Sequence, residues 1–375
     1  MRVLMVSKAC VVGAYQRNLE ELARLPEVEL TVGVPPLWRD RRGNTTRLER
    51  THTEGYRLEV LPIRFNGHFH LHHYPGLGRL MRALRPQILH MDEEPYNLAT
   101  FLAVRQARQV GARVVFFTWQ NLQRRYPPPF SWMEGAVYRT ADHALAGNQE
   151  AVAVLRNKGY RGPVTVLPQF GVDPQIFRPG PAQENAAGEF VIGYAGRLVP
   201  EKGVDLLLRA AAGLSGAWQV QVLGEGPSRP ALQALTAELG VADRVRFAAA
   251  RPSGEMPDWY RGLDALALPS LTRANWKEQF GRVLVEAMAC AVPVVGAQSG
   301  EIPHVIGRAG LTFPEGDVAA LQGHLQRLHD DGAQRAALGQ AGRQRVLEQF
   351  TQAQVAARTY AVYRQMLGME PAGGA

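Results

Sequence analysis

The sequence predicts an α/β protein of two doubly wound, Rossmann-like domains with a cleft between them. Three observations predict it. Short apolar runs alternate with amphipathic stretches from one end to the other, the pattern of parallel sheets flanked by helices. That alternation is interrupted by a stretch rich in Pro, Gly, Ala and polar residues at 174–188. The length, 375 residues, exceeds one domain at about 100–200 residues each.

The elements follow in order. The apolar run Arg2–Val6 reads as a strand and Gln16–Leu25 as a helix, then Leu30–Val34 as a strand. Pro75–Leu84 is expected helical, Gln87–Met91 a strand, Pro95–Gln109 a helix and Arg113–Phe117, rich in Val and Phe, a strand. Helix Trp132–Arg139, strand Ala144–Ala146, helix Gln149–Lys158 opened by Asn148, and strand Val164–Leu167 complete the first half. Phe190–Tyr194 begins the second series, followed by helix Val204–Ala212, strand Gln219–Leu223, helix Arg229–Leu239 and strand Arg244–Ala248. Strand Leu263–Leu268, helix Gly281–Ala289, strand Pro293–Gly296 and helices at Asp317–Leu328, Gln334–Gln349 and Gln352–Leu367 follow. The expected domains are 1–173 and 189–351, joined by 174–188, with a disordered tail from Gly368.

Bulk properties narrow the class. Cys10 and Cys290 are too few and too far apart for a disulfide framework or a metal cluster. No apolar run approaches the ~20 residues of a membrane span, and the N-terminus lacks a signal peptide's apolar core. A cytoplasmic protein is expected. Its net charge is +8, spread unevenly: residues 1–180 hold 24 Lys/Arg against 15 Asp/Glu, and the remainder is nearly neutral. An anionic partner for the first half is one reading of that asymmetry. Arg39, Arg41, Arg42, Arg47 and Arg50 form one basic cluster. Arg124 and Arg125, followed by Tyr126, Phe130 and Trp132, form another. Such clusters suit an anionic membrane surface or acceptor, or simply a solvated arginine face. Nucleic acid is not expected, because no recognition motif accompanies the charge.

The most informative segment runs from Glu278 to Glu286. Two carboxylates eight positions apart on a helix would be separated by roughly 12 Å. They could not share a proton or a metal, but could grip two diols of one elongated ligand through charged hydrogen bonds. The alternative is a pair of solvated helix residues. Gly281 is expected at the helix start, where free N–H groups meet phosphate or sugar oxygens, just after strand Leu263–Leu268. On another strand-to-helix loop, Gly196-Arg197 and Lys202 bring a guanidinium and an ammonium within five residues, ahead of a helix near Gly203. Both cations can reach a diphosphate and stabilise charge growing on a departing phosphate. A Rossmann dehydrogenase is disfavoured. Gly13 stands alone after the first strand, and Gly224-Glu225-Gly226-Pro227 lacks the third glycine of the dinucleotide fingerprint.

These segments together resemble the retaining, family-4 (group 1) glycosyltransferases, which have the two-domain GT-B fold. The resemblance is carried by Gly193-Tyr194-Ala195-Gly196-Arg197, Glu201-Lys202-Gly203, Leu223 to Pro227, Leu268-Pro269-Ser270, Glu278 to Val295 and Ser299 to Pro303. Asn148-Gln149-Glu150, Leu167-Pro168, Gly171-Val172-Asp173 and Phe177 extend it loosely into the first half. It implies transfer of a sugar from a nucleoside diphosphate sugar to an acceptor hydroxyl, with retained configuration and neither cofactor nor metal. Arg197 and Lys202 would bind the diphosphate. Glu278, Phe280 and Gly281 would serve the sugar side, Glu286 the ribose diol, and Gly224, Gly226 and Arg251 the surroundings of the base, with Gly196 a further donor-binding residue of the diphosphate loop. The first domain would bind the acceptor, expected to be a glycan, glycolipid or other cell-envelope precursor, with peripheral contact to an anionic membrane. Helix 352–367 would pack back onto that domain.

The chain departs from the family where Gln120 aligns with a frequent histidine, since an amide donates a hydrogen bond but cannot be a cation. Gly13, His90, Gln120, Arg124 and Arg125 are the candidates for the acceptor or cleft side. His90 and the acidic run Asp92-Glu93-Glu94 are placed at a strand end, as acceptor ligands or a solvated loop. His68, His70, His72 and His73 read as an interaction loop rather than a metal site. Two alternatives stay open, a nucleotide-sugar epimerase on the same scaffold and a non-catalytic nucleotide-sugar-binding protein.

Overall fold

The computed structural model describes residues 1–40, 43–180 and 188–369. Arg41 and Arg42, residues 181–187 of the expected linker and residues 370–375 of the tail lie outside the described residues. The chain forms two compact units. One comprises Met1–Gly171 with the chain from Gln352 onward, and the other Val172–Thr351.

The first unit contains strands β1 (Arg2–Val6), β2 (Glu29–Val34), β3 (Leu37–Arg39), β4 (Thr45–Arg47), β5 (Arg57–Val60), β6 (Ile88–Met91), β7 (Arg113–Thr118), β8 (His143–Ala146) and β9 (Val164–Val166). Helices α1 (Gly13–Ala23), α2 (Leu77–Leu84), α3 (Leu98–Gln109), α4 (Phe130–Thr140) and α5 (Gln149–Asn157) connect them. Seven strands form one parallel sheet in the order β5-β2-β1-β6-β7-β8-β9, and β3 and β4 pair separately as an antiparallel hairpin. Side chains alternate across the sheet as the pleat requires. Leu4 and Val6 of β1 enter one apolar cluster, Val3 and Met5 the opposite one. Asn148 caps α5, its side chain accepting from the Ala151 amide at 2.8 Å.

The second unit contains β10 (Phe190–Ala195), β11 (Trp218–Leu223), β12 (Val245–Ala248), β13 (Ala265–Leu268), β14 (Val294–Ala297) and β15 (Leu311–Phe313). Its helices are α6 (Val204–Ala212), α7 (Arg229–Glu238), α8 (Met256–Arg261), α9 (Arg282–Ala289), α10 (Ile302–Ile306), α11 (Val318–Asp330) and α12 (Gly332–Gln349). The sheet is parallel, ordered β12-β11-β10-β13-β14-β15. Of the expected linker, Phe177 is buried in this unit's core. The Arg343 guanidinium donates to the carbonyls of Phe177 and Ala289 at 2.6 and 2.7 Å, so this part of the segment is anchored.

Helix α13 (Gln352–Met366) closes the first unit. It packs against α1, with Val355, Ala356, Tyr360 and Tyr363 in the cluster that holds Leu19 and Leu22. The strands β3, β4, β5 and β15 and the helices α8 and α10 have no counterpart in the expected elements. Each is three to six residues long, too short for a periodic pattern to register. His90, expected at a strand end, lies inside β6.

Candidate functional site

In the second unit, the chain leaves β10 toward β11 on one side, and later returns on the other side as β13. Ligands of open α/β sheets bind at such a switch, beyond the carboxyl ends of the strands. The loops there are Gly196–Gly203 after β10 and Pro269 onward after β13. Lys202 Nζ stands 2.5 Å from Glu278 Oε2, which also accepts from Ser270 Oγ at 3.0 Å. Ser270 is fully buried and Glu278 is 8% exposed, so a carboxylate, an ammonium and a hydroxyl share one small polar spot. The ring centroid of Trp276 lies 4.8 Å from the same ammonium. The backbone fixes this arrangement. Leu271 N–H donates to the Glu201 carbonyl at 2.8 Å and Glu301 N–H to the Glu278 carbonyl at 3.1 Å. Gly300, at φ 53°, lies so close that a Cβ there would fall 2.1 Å from the Glu278 carbonyl oxygen. Arg197 is held more loosely, its guanidinium 3.3 Å from Glu201 with 44% of the side chain exposed.

Glu278 precedes the helix rather than riding on it. Helix α9 starts at Arg282, and Gly281 is its N-cap at φ 79° with no side-chain cap. The helical spacing expected between the two carboxylates therefore does not apply. Glu286 lies on α9, 7% exposed, and accepts from Tyr260 Oη at 2.8 Å and Arg282 Nε at 2.7 Å. Burial, reinforced by that carboxylate, drives the Tyr260 phenol well above its usual range, so it remains a donor. Phe280 is half-buried against Phe350. At the neighbouring strand ends, Gly196 N–H donates to Leu223 O and Gly224 N–H to Ala248 O, both at 3.0 Å. A Cβ on Gly224 would sit 1.8 Å from the Gly196 carbonyl oxygen, which explains the glycine. Gly226 abuts Leu198, and Arg251 is exposed just after β12. A groove of ≈ 490 Å³ runs along α6 and α7 and is lined by Val199, Pro200, Leu271 and Arg273 of these loops, but by neither Lys202, Glu278 nor Glu286.

The first unit has its own switch, between β1 and β6. There Asp92 accepts from Ser7 Oγ at 2.6 Å and from Gln169 Nε2 at 2.8 Å. Glu93 accepts from Lys8 at 2.6 Å, His72 at 2.7 Å and Tyr74 at 2.7 Å. Glu94 accepts from Thr118 Oγ1 at 2.6 Å and the Trp119 amide at 2.8 Å. All three acids are buried, so the expected solvated loop is not formed. Burial pushes Asp92 up to about 7, against the hydrogen bonds from Ser7 and Gln169. Burial likewise pushes Glu94 up to about 7. For Glu93 burial is outweighed by His72 and Lys8, and the carboxyl drops below its usual range.

His90 is a correction to the expected strand-end group. Its Nδ1 is 2.7 Å from Tyr363 Oη beneath α13, and burial lowers its pKa to about 3. The Gly13 amide is taken by the Glu49 carboxylate at 2.6 Å, and a Cβ there would meet Thr51. Gln120 is 8% exposed. Its Oε1 accepts from Lys158 Nζ at 3.1 Å, and Lys158 pairs with Glu134 at 2.7 Å. Arg124 and Arg125 are exposed. Of the histidines in the 68–73 loop, His72 and His73 engage carbonyls, His72 also Glu93, and His70 aromatic rings. Among the described residues no group of three or more His, Cys, Asp or Glu is arranged to hold a metal.

Two family comparisons divide the chain as the geometry does. Residues 180–345 match the family described as Glycosyl transferases group 1, and residues 12–169 that described as Glycosyl transferase 4-like domain. A GDP-mannose-dependent alpha-(1-6)-phosphatidylinositol monomannoside mannosyltransferase of Mycolicibacterium smegmatis is 30% identical over 65% of this chain and 68% of its own length. The chain belongs to the family-4 (group 1) glycosyltransferases. A D-inositol 3-phosphate glycosyltransferase of Stackebrandtia nassauensis is 34% identical to this glycosyltransferase over 56% of the chain. That match spans about half, 52%, of the relative's length. Among solved structures, Anabaena HepE in complex with UDP superposes with a TM-score of 0.76 at 18% identity, covering 97% of this glycosyltransferase and all of that chain. The fold is GT-B.

Within the glycosyltransferase, the structure brings Lys202 and Glu278 together directly, with Arg197 on the same loop as Lys202. Glu286 addresses other partners. Four side chains around these groups carry no role read from the sequence: Ser270 at Glu278, Trp276 at Lys202, and Tyr260 and Arg282 at Glu286. Ser270 stood in a quoted motif without a role. Tyr260 is 26 residues from Glu286, and no spacing rule connects them.

Proposed function

We propose that this glycosyltransferase moves a hexosyl group from a nucleoside diphosphate sugar to an acceptor hydroxyl with retained anomeric configuration. The observation that carries the reading is the Lys202–Glu278–Ser270 cluster at the switch of the second sheet. Lys202 and Arg197 hold the diphosphate, and Glu278 accepts from sugar hydroxyls. Glu286 takes the ribose diol, because a carboxylate's two oxygens offer about four lone-pair sites and two are used by Tyr260 and Arg282. In the transfer step the bond from the sugar C1 to the phosphate oxygen breaks, with its electron pair going to the phosphate. The acceptor oxygen bonds C1, and its proton passes to the departing diphosphate. The cations stabilise that departing charge.

The relatives' names motivate a polyol or phosphoinositide-type acceptor and a mannosyl donor as first choices. We assign the acceptor to the first unit, as a glycan, glycolipid or cell-envelope precursor. Peripheral contact with an anionic membrane fits the exposed Trp132 (69%) and Phe65 (57%) and the exposed Arg124 and Arg125 of the same unit. No helix among the described residues is long and apolar enough to cross a membrane, and we place the protein in the cytoplasm, at the inner membrane face. No cofactor or metal enters the scheme.

The test is turnover of GDP-mannose and UDP-glucose over an acceptor panel, with NMR of the product's anomeric centre. Lys202→Ala and Glu278→Ala should each lower transfer by a hundredfold or more while circular dichroism stays unchanged. Normal turnover in either variant removes the site assignment. Sugar rearrangement with donor alone identifies an epimerase, and binding without turnover a non-catalytic protein.

A further inference from the structure

Trp276 lies outside the apolar core of its unit and presents its ring to the Lys202 ammonium. The ammonium is held on two sides, by Glu278 Oε2 at 2.5 Å and by the indole ring at 4.8 Å. The ring is presented by a braced turn. Arg273 and Trp276 exchange backbone hydrogen bonds at 2.8 and 3.2 Å. Thr272 ties the turn to Glu315 through its amide at 2.6 Å and its hydroxyl at 2.5 Å.

The two contacts act differently on a lysine. Glu278 consumes an N–H and competes with any phosphate for it. An aromatic face attracts the charge through its quadrupole, with tryptophan the strongest of the rings, and leaves the other N–H groups free to turn. It also displaces water from one side of a cation that is otherwise compact, strongly hydrated and carried on a flexible stem. Removing that water strengthens the attraction between the ammonium and an arriving anion.

We propose that Trp276 is a positioning residue that holds the Lys202 ammonium where a nucleoside diphosphate can draw it from Glu278. The proposal rests on reading this site as the donor site and adds a residue to it. The indole stays on the ammonium in both states while the N–H exchanges carboxylate for phosphate.

The experiment measures affinities of the full-length protein for ADP, GDP and UDP, and for the parent nucleosides, by calorimetry. The variants are Trp276→Phe, Trp276→Leu, Lys202→Ala and the Leu/Ala double variant. Trp276→Leu keeps apolar bulk without a π face. It should weaken binding of the preferred nucleoside diphosphate about tenfold and leave nucleoside binding within twofold. Trp276→Phe should retain most of the affinity. In the Lys202→Ala background Trp276→Leu should cost less than twofold, because the contact it removes is already gone. An equal loss in both backgrounds, an equal loss of nucleoside and diphosphate binding, or Phe behaving like Leu overturns the role of Trp276. A wild-type protein that binds none of the three diphosphates overturns the donor-site reading itself, and this proposal with it.

Discussion

Asp92 shows how far a residue's chemistry depends on what surrounds it. In the sequence it opens three consecutive acids, which ordinarily mark a solvated loop. In the fold each acid is buried and each has its own donors, from Ser7 and Gln169 for the first to Thr118 and Trp119 for the last. Asp92 and Glu94 titrate near 7 because burial disfavours their charged forms. An acid whose folded pKa is raised contributes stability that is complete below its unfolded value, near 4, and lost as pH climbs through 7. His90, lowered to about 3, acts in the opposite sense: its contribution is present above 6.5 and lost as pH falls toward 3. His143, also lowered by burial, acts in the same sense as His90, so the carboxyls' loss is uncompensated above about pH 6.5, and there the first unit should lose stability as pH rises toward 8. Asp92→Asn should remove one proton from that slope, about 1.4 kcal/mol per pH unit where the titration is in progress. Melting curves of both proteins across this range check it, and parallel curves would show that Asp92 does not titrate there.

At the level of elements, the long pieces were legible and the short ones were not. Val204–Ala212 has the same bounds in the sequence reading and the structure, because its apolar residues repeat on one face and Gly203 and Gly213 bracket it. Strands such as Leu311–Phe313 are assigned by their neighbour in the sheet, and a single sequence holds no trace of that neighbour. The candidate site divides in the same way. Arg197, Lys202, Glu278 and Glu286 were legible because each lies in a strand-to-helix segment with marked glycines. Ser270, Tyr260 and Trp276 act through contacts that only folding creates. The helix start at Gly281 was legible, but the helical distance expected between Glu278 and Glu286 was not met, because Glu278 stands three residues ahead of that left-handed glycine. Asn148 offers an element-scale test. It caps α5 through the Ala151 amide, so Asn148→Ala should destabilise the first unit by about 1 kcal/mol. Urea unfolding measures the shift, and an unchanged midpoint would mean that the cap contributes nothing.

The whole molecule is two units, each with its own sheet and apolar core. The sites assigned to the donor all lie in Val172–Thr351. A nucleoside diphosphate should therefore raise the melting of that unit alone, by about 2.7 kcal/mol of stability at a hundred times its dissociation constant. Scanning calorimetry with and without GDP or UDP should resolve two transitions and move one. A single transition that shifts as a whole would show that the units unfold together.

Helix Gln352–Met366 also sets an order of events during synthesis. The unit that begins the chain needs this segment to cover Leu19 and Leu22 of α1, whereas Val172–Thr351 is continuous. At about 5–20 residues per second on the ribosome, α1 emerges and then waits roughly 15–70 s for its partner. The later half can finish first, and through that interval the nascent earlier half carries a bare apolar flank for a chaperone to guard.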